Sequence, residues 1–184
     1  LGPLTDLPLP CGLCDRVRTL AFDPTGNRLA VVRGPALSVF ELPSGRLLTS
    51  VPAGSGGWRD VVFLEDDRLR GLRRSGDQDS GVQIVEIRLP GGQAEVTGQV
   101  TAGAAARIQW DNAGERLLVF HQTKPATLHD GRSGAPLATL GEPGTNVASL
   151  SDGRTGFLSD GRIAVVESRA STRLRILSST GEEE

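Results

Sequence analysis

Cys11-Gly12-Leu13-Cys14 has the two-residue spacing of a zinc half-site or a redox pair. A full zinc site needs two more ligands. His121 and His129, the remaining imidazoles, have no ligand-like spacing to each other or to the cysteines. Asp15 follows the pair, so it is not a haem-attachment motif, and no helical pattern follows to make it a redox motif. Cys11 and Cys14 therefore read as incidental thiols or a disulfide, and as the weakest of metal candidates. Asp77-Gln78-Asp79-Ser80-Gly81 opens like a calcium loop, with oxygen ligands at alternate positions. No acid closes it at a suitable distance, and it reads as a solvated hairpin loop. The triplets at Asp130, Asp152 and Asp160 are Asp-Gly-Arg, a turn sequence in which Asp caps and Gly takes a positive φ. No nucleophile, base and orienting group can be assembled, and no phosphate-cradling glycine loop precedes a helix. The reading leans away from an enzyme and expects no cofactor. Trp58-Arg59-Asp60 is the most distinctive local cluster, because Trp and Arg are favoured binding anchors.

The elements that must position these residues are short and separated by turns. The chain has 184 residues, of which 24 are Gly and 11 Pro, as in all-β proteins built of short strands. A net charge of −2 with 4% aromatic residues gives no support to nucleic-acid binding. No run approaches the roughly 20 apolar residues that span a bilayer, and no signal peptide is visible at the first residue, which is Leu1. The compartment stays open. Lys124 is the only lysine among 20 basic residues, a bias of GC-rich, bacterial coding. The absence of an initial Met suggests a processed chain or a fragment.

Residues 1–15, with Pro3, Pro8 and Pro10, form a Pro-rich segment that cannot serve as a central strand. Four units follow, at residues 16–51, 58–100, 106–140 and 147–184, each reading as four strands, with the last cut short. In the first, Val17, Leu20 and Phe22 fit an inner strand, 29–32 is a continuous apolar run, and Leu37, Val39 and Leu42 mostly alternate. In the second, a bulge is expected near Val85-Glu86. Two markers keep one period. Gly45, Gly92, Gly134 and Gly181 are spaced by 47, 42 and 47 residues. Gly26, Asp67, Gly114 and Gly161 are spaced by 41, 47 and 47. No segment sustains a 3.6-residue apolar period, so helix is expected to be scarce.

The run Leu20-Ala-Phe-Asp-Pro-Thr-Gly-Asn-Arg-Leu-Ala30, followed by Leu37-Ser-Val-Phe-Glu-Leu-Pro-Ser-Gly-Arg-Leu-Leu48, resembles a WD40-type β-propeller blade. So does Trp110-Asp-Asn-Ala-Gly-Glu-Arg-Leu-Leu118 with Leu128-His-Asp-Gly-Arg-Ser-Gly-Ala-Pro-Leu-Ala-Thr-Leu140. The Trp-Asp pair of that family is replaced by Phe40-Glu41 and His129-Asp130, and its Gly-His pair is missing. A bacterial relative of the YVTN or TolB sort is equally compatible.

The resemblance implies an all-β chain: about four blades of four antiparallel strands, stacked because no sheet can bury both faces alone. An incomplete ring is favoured over a closed four-bladed one, because the prolines of the first segment pair poorly. It implies one rim carrying the loops into each inner strand and the second-to-third-strand loops. That rim would hold Trp58, Arg59, Asp60, Arg73, Arg74, Asp77 and Asp79, then His121, Gln122 and Lys124, then Arg169. The implied function is a non-catalytic binding or scaffolding module with a protein or peptide partner, and with self-association through open blade faces. The alternatives are a propeller enzyme of hydrolase, lactonase or quinoprotein type with its site at the axial channel, or a sensory extracytoplasmic domain.

Overall fold

The computed structural model describes residues 17–54, 56–64, 67–75, 81–101, 107–121, 125–140, 156–168 and 172–182. All regular structure among them is strand. The first sheet comprises β1 (Val17–Phe22), β2 (Arg28–Arg33), β3 (Ala36–Glu41) and β4 (Leu47–Pro52). The second comprises β5 (Trp58–Phe63), β6 (Arg68–Arg74), β7 (Val82–Arg88) and β8 (Gln93–Val100). The third comprises β9 (Arg107–Trp110), β10 (Arg116–Phe120), β11 (Ala126–Asp130) and β12 (Pro136–Leu140). The fourth has three strands, β13 (Gly156–Phe157), β14 (Ile163–Ser168) and β15 (Thr172–Leu177). In every sheet, neighbours in sequence are neighbours in space. These are the antiparallel meander blades of a β-propeller.

The turns follow the repeat. At the first turn, Gly26, Asp67, Gly114 and Gly161 all have positive φ, between 58° and 83°. At the second, Gly45, Gly92, Gly134 and Gly181 lie between 67° and 90°. A left-handed residue closes each tight turn, which is why glycine recurs there. Asp67, the exception, is among the few non-Gly types that tolerate this conformation.

The chain divides into two compact units: residues 1–78 with 82–97, and residues 79–81 with 98–184. In the first unit the two sheets share one core. Ala30, Val32, Leu37 and Val39 of the first sheet meet Trp58, Val61, Phe63, Leu69, Val85 and Ile87 of the second. In the second unit the same strand positions recur. Leu118, Phe120, Ala126 and Leu128 of the third sheet meet Ile163, Val165 and Leu177 of the fourth. Alternation sends every other residue to one face, so each strand supplies two cores or one core and one open face.

Val17, Leu20 and Phe22 do lie on a strand, but they are exposed, Phe22 by 61% and Leu20 by 54%. The repeat explains this. Phe63 and Val61 occupy the same strand positions in β5 and are buried against the preceding sheet. In the second unit, Leu174 on the outer face of β15 is 66% exposed. Open apolar faces of this kind accord with blades that belong to an incomplete ring.

A pair of equivalent contacts binds each sheet to the next within its unit. The first turn of the first sheet reads Asp23-x-x-Gly26-x-Arg28, and that of the third Asp111-x-x-Gly114-x-Arg116. Asp23 is buried and accepts from Thr25 Oγ1 at 2.8 Å, Arg28 N at 3.0 Å and Arg28 Nε at 3.2 Å. Arg28 then reaches Asp67 in the second sheet and lies 5.8 Å from the Phe63 ring centre. Asp111 accepts from Glu115 N at 2.8 Å and Arg116 Nε at 3.0 Å. Arg116 donates to the Gly161 carbonyl at 3.0 Å and lies 5.1 Å from the Phe157 ring centre in the fourth sheet. One short turn thus holds an arginine that clasps the neighbouring sheet.

The second turns are closed by side chains. Asp130 Oδ1 accepts from Ser133 N at 2.7 Å and Arg132 N at 3.1 Å. Glu41 accepts from Arg46 Nη2 at 2.9 Å and Ser44 Oγ at 2.8 Å, and these bonds hold its pKa at about 2. The lowered value means that its charged form favours the folded state. That contribution is complete above the ordinary value of 4.5 and is lost as pH falls toward about 2. The Glu41 carboxyl carbon, followed by NMR, is expected to titrate near 2, and in Arg46→Gln to move back toward 4.5. An unchanged midpoint in that variant would disprove the assignment.

The bulge expected near Val85-Glu86 is not in the β6–β7 ladder, where Gly71 pairs with Val85 and Arg70 with Glu86 without interruption. Arg70 and Arg68 both reach Glu86, at 3.2 and 3.1 Å. Bulges occur in other ladders, at matching positions in different sheets. The β3–β4 and β11–β12 ladders shift between Val39 and Phe40 and between Leu128 and His129. The β1–β2 and β5–β6 ladders shift between Val17 and Thr19 and between Trp58 and Asp60.

Candidate binding cavity in the first unit

The bulge at the start of β5 decides where its side chains go. Trp58 pairs with Arg73 and Asp60 with Leu72, so Arg59 is the extra residue. A strict alternation would put Trp58 and Val61 on opposite faces. The extra residue returns both to the core. Trp58 is 1% exposed, and its indole N–H donates to the Val51 carbonyl at 2.9 Å. Gly71 lies opposite because a Cβ there would stand 2.7 Å from the indole ring. Arg73 sits over the ring at 6.0 Å and is held by Gln83 Oε1 at 2.8 and 3.2 Å.

Arg59, released from alternation, lines a cavity of about 290 Å³ together with Trp58, Arg18 and Arg74. Pro35 of the β2–β3 turn and glycines of that turn and of the β4–β5 connection complete its wall. Gly56 has no room for a side chain, since its Cβ would lie 2.0 Å from the Arg74 carbonyl oxygen. Arg18 is to β1 what Arg59 is to β5: Val17 pairs with Arg33 and Thr19 with Val32, leaving Arg18 as the extra residue. Burial depresses the pKa of Arg59, and the positive charges of Arg74 and Arg18 add to the effect.

Of the residues nominated from sequence, Trp58, Arg59 and Arg74 meet at this cavity, and Arg73 supports it from behind the indole. Asp60 turns back to its own strand, where Oδ1 accepts the Val61 N–H at 2.9 Å. His121 belongs to the second unit. Its Nε2 lies 3.1 Å from Thr127 Oγ1, which lies 2.8 Å from His129 Nε2. His129 Nδ1 must donate to the Gly134 carbonyl at 3.0 Å, so in the neutral ring Nε2 accepts from Thr127, and Thr127 accepts from His121. Asp77, Asp79, Gln122, Lys124, Arg169, Cys11 and Cys14 lie outside the described residues. Among the described residues no three His, Cys, Asp or Glu side chains gather as metal ligands, and no helix is long and apolar enough to cross a membrane.

Sequence reasoning missed Arg18. The signal was present: Val17-Arg18 and Trp58-Arg59 stand at the same place before Phe22 and Phe63.

No protein-family model matches the chain, and no curated protein sequence matches it. Solved structures do. The computationally designed Ika4 protein superposes with a TM-score of 0.58 at 13% identity, over 95% of this chain and 96% of that one. A chain of the mitotic checkpoint complex gives 0.63 at 12% identity, over 94% of this chain. A chain of a nidogen/laminin complex gives 0.56 at 14%, over 90%. These likenesses show the fold. The chain spans 51% and 61% of the lengths of the latter two.

Proposed function

We propose that the chain is a non-catalytic binding module, a WD40-like propeller segment that holds a protein or peptide. The observation that carries this reading is the cavity of the first unit, which joins a buried indole to three arginines. Trp and Arg dominate the energetics of protein interfaces because one supplies rigid area and the other a fork of donors. Two of the similar structures are chains from protein complexes, which supports the same reading. A peptide array probed with the full chain is expected to show a discrete set of bound sequences. Arg74→Glu is expected to remove most of that binding while the far-UV spectrum stays unchanged. An array without bound sequences would end the proposal.

The partners include a second copy of the chain. Leu20 and Phe22 stand exposed at positions whose equivalents in β5 pack against a neighbouring sheet. Covering such a face is the ordinary fate of a propeller blade. In sedimentation velocity the chain is expected to self-associate reversibly, and a Leu20→Ser, Phe22→Ser variant to run as a monomer. Wild-type chain that stays monomeric at all accessible concentrations would remove this partner.

A further inference from the structure

Two sets of arginines stand out among the described residues. Arg28, Arg46, Arg68, Arg70, Arg116 and Arg162 each hold a carboxylate within their own unit, at Asp23, Glu41, Glu86, Asp111 or Asp160. Arg18, Arg59 and Arg74 have no acidic partner among the described residues, and they stand together around one cavity. We propose that this cavity is an oxyanion pocket, built by the paired bulges, that takes one acidic side chain of a bound peptide. The inference rests on the binding-module reading above and names what the module recognises.

Three observations carry it. The first is the backbone. Arg18 and Arg59 are the extra residues of equivalent bulges in β1 and β5, so one local device brings an arginine to the same cavity from the first strand of each of two consecutive sheets. Bulges re-aim side chains next to functional sites. The second is the electrostatics. Burial, and after it the like charges of Arg74 and Arg18, disfavour the charged form of Arg59, and an anion among the three arginines offsets their mutual repulsion. The guanidinium fork matches the two oxygens of a carboxylate or phosphoryl group. The third is size. At about 290 Å³ the cavity lies near the lower bound of small-molecule sites and has room for an acidic side chain. With a net charge of −2 on the whole chain, the attraction is local to the pocket and offers no track for a nucleic-acid backbone.

The test uses the full chain and observes the arginine Nε–H signals by NMR. Capped Ala-Glu-Ala, Ala-Gln-Ala and Ala-phosphoserine-Ala peptides are titrated in turn, as is inorganic phosphate. Ala-Glu-Ala is expected to shift the Arg59 and Arg74 signals saturably, and Ala-Gln-Ala to leave them unmoved. The phosphoserine arm tells whether the pocket prefers phosphoryl to carboxylate, and saturable shifts with either peptide uphold the proposal. Arg59→Gln is expected to weaken the interaction about ten- to hundredfold, the worth of a hydrogen bond to a charged group. Arg46→Gln removes the same charge from the opposite end of the first sheet and is expected to change nothing. Saturation should weaken steeply as salt shortens the screening length. Shifts with inorganic phosphate alone, or equal loss in Arg46→Gln, would overturn the inference. So would the absence of any saturable shift. Array peptides bound without regard to their acidic residues would also overturn it, and would leave the binding module itself standing.

Discussion

Trp58→Ala is expected to lower the free energy of unfolding by about 3–5 kcal/mol, the cost of truncating a large buried aromatic. Trp58 fills the core shared by the two sheets of the first unit and is 1% exposed. Its loss opens a hole walled by Gly71, which cannot fill it. It also strands the Val51 carbonyl that the indole N–H satisfies. Trp58→Phe keeps much of the apolar bulk but not the donor. It is expected to cost less than alanine, with about 1 kcal/mol of its loss due to the missing hydrogen bond. Urea unfolding followed by far-UV circular dichroism measures both. A cost below about 1 kcal/mol for the alanine variant would show that Trp58 is not the packing centre of this unit.

Asp23→Ala is the second large effect, expected at about 2–4 kcal/mol. The carboxylate is buried and accepts three hydrogen bonds, two of them from Arg28. Its removal leaves the Arg28 backbone N–H without its acceptor and frees the guanidinium from the geometry that delivers it to Asp67 and Phe63. Burial alone would raise the pKa of Asp23. The bonds from Thr25 and Arg28 outweigh it, and the net shift is downward. The charged form is therefore the one the fold prefers. Its stabilisation is present above the unfolded carboxylate value and fades as pH drops through the folded one. Asp23→Asn should consequently flatten the acid limb of the stability curve relative to wild type. Parallel acid limbs for the two proteins would refute the role given to the charge.

The repeat and its turns were legible because turn chemistry is local. A left-handed residue is required at each tight corner, and Gly or Asp marks it in the sequence at every one of eight positions. Strand identities followed from alternation, as at Leu37 and Val39, both of which lie in the core. What alternation could not show was where it breaks. Nothing in Val17-Arg18-Thr19 or Trp58-Arg59-Asp60 announces an extra residue, because a bulge is defined by the partner strand. Arg59 could be nominated from its neighbour Trp58, whereas Arg18, next to an ordinary valine, is marked only by its equivalent place in the repeat, before Phe22 as Arg59 stands before Phe63. The clasps escaped for a related reason. Asp23-x-x-Gly26-x-Arg28 reads as a turn, but the reach of Arg28 to Asp67 joins residues 39 apart in sequence. The exposure of Phe22 was hidden as well, since its composition and pattern are those of the buried Phe63.

The bulges also govern which changes of chain length the protein can survive. Deleting Arg59 would restore an unbroken ladder and turn every residue before it to the other side, carrying the indole of Trp58 out of its nest. Burial of the tryptophan therefore requires the spare position, whatever side chain occupies it. Such a site can be rewritten from one descendant to another, arginine in one and something else in the next, at no expense to the hydrophobic interior. A scaffold of this kind evolves new tastes at its doorway while its walls stay put.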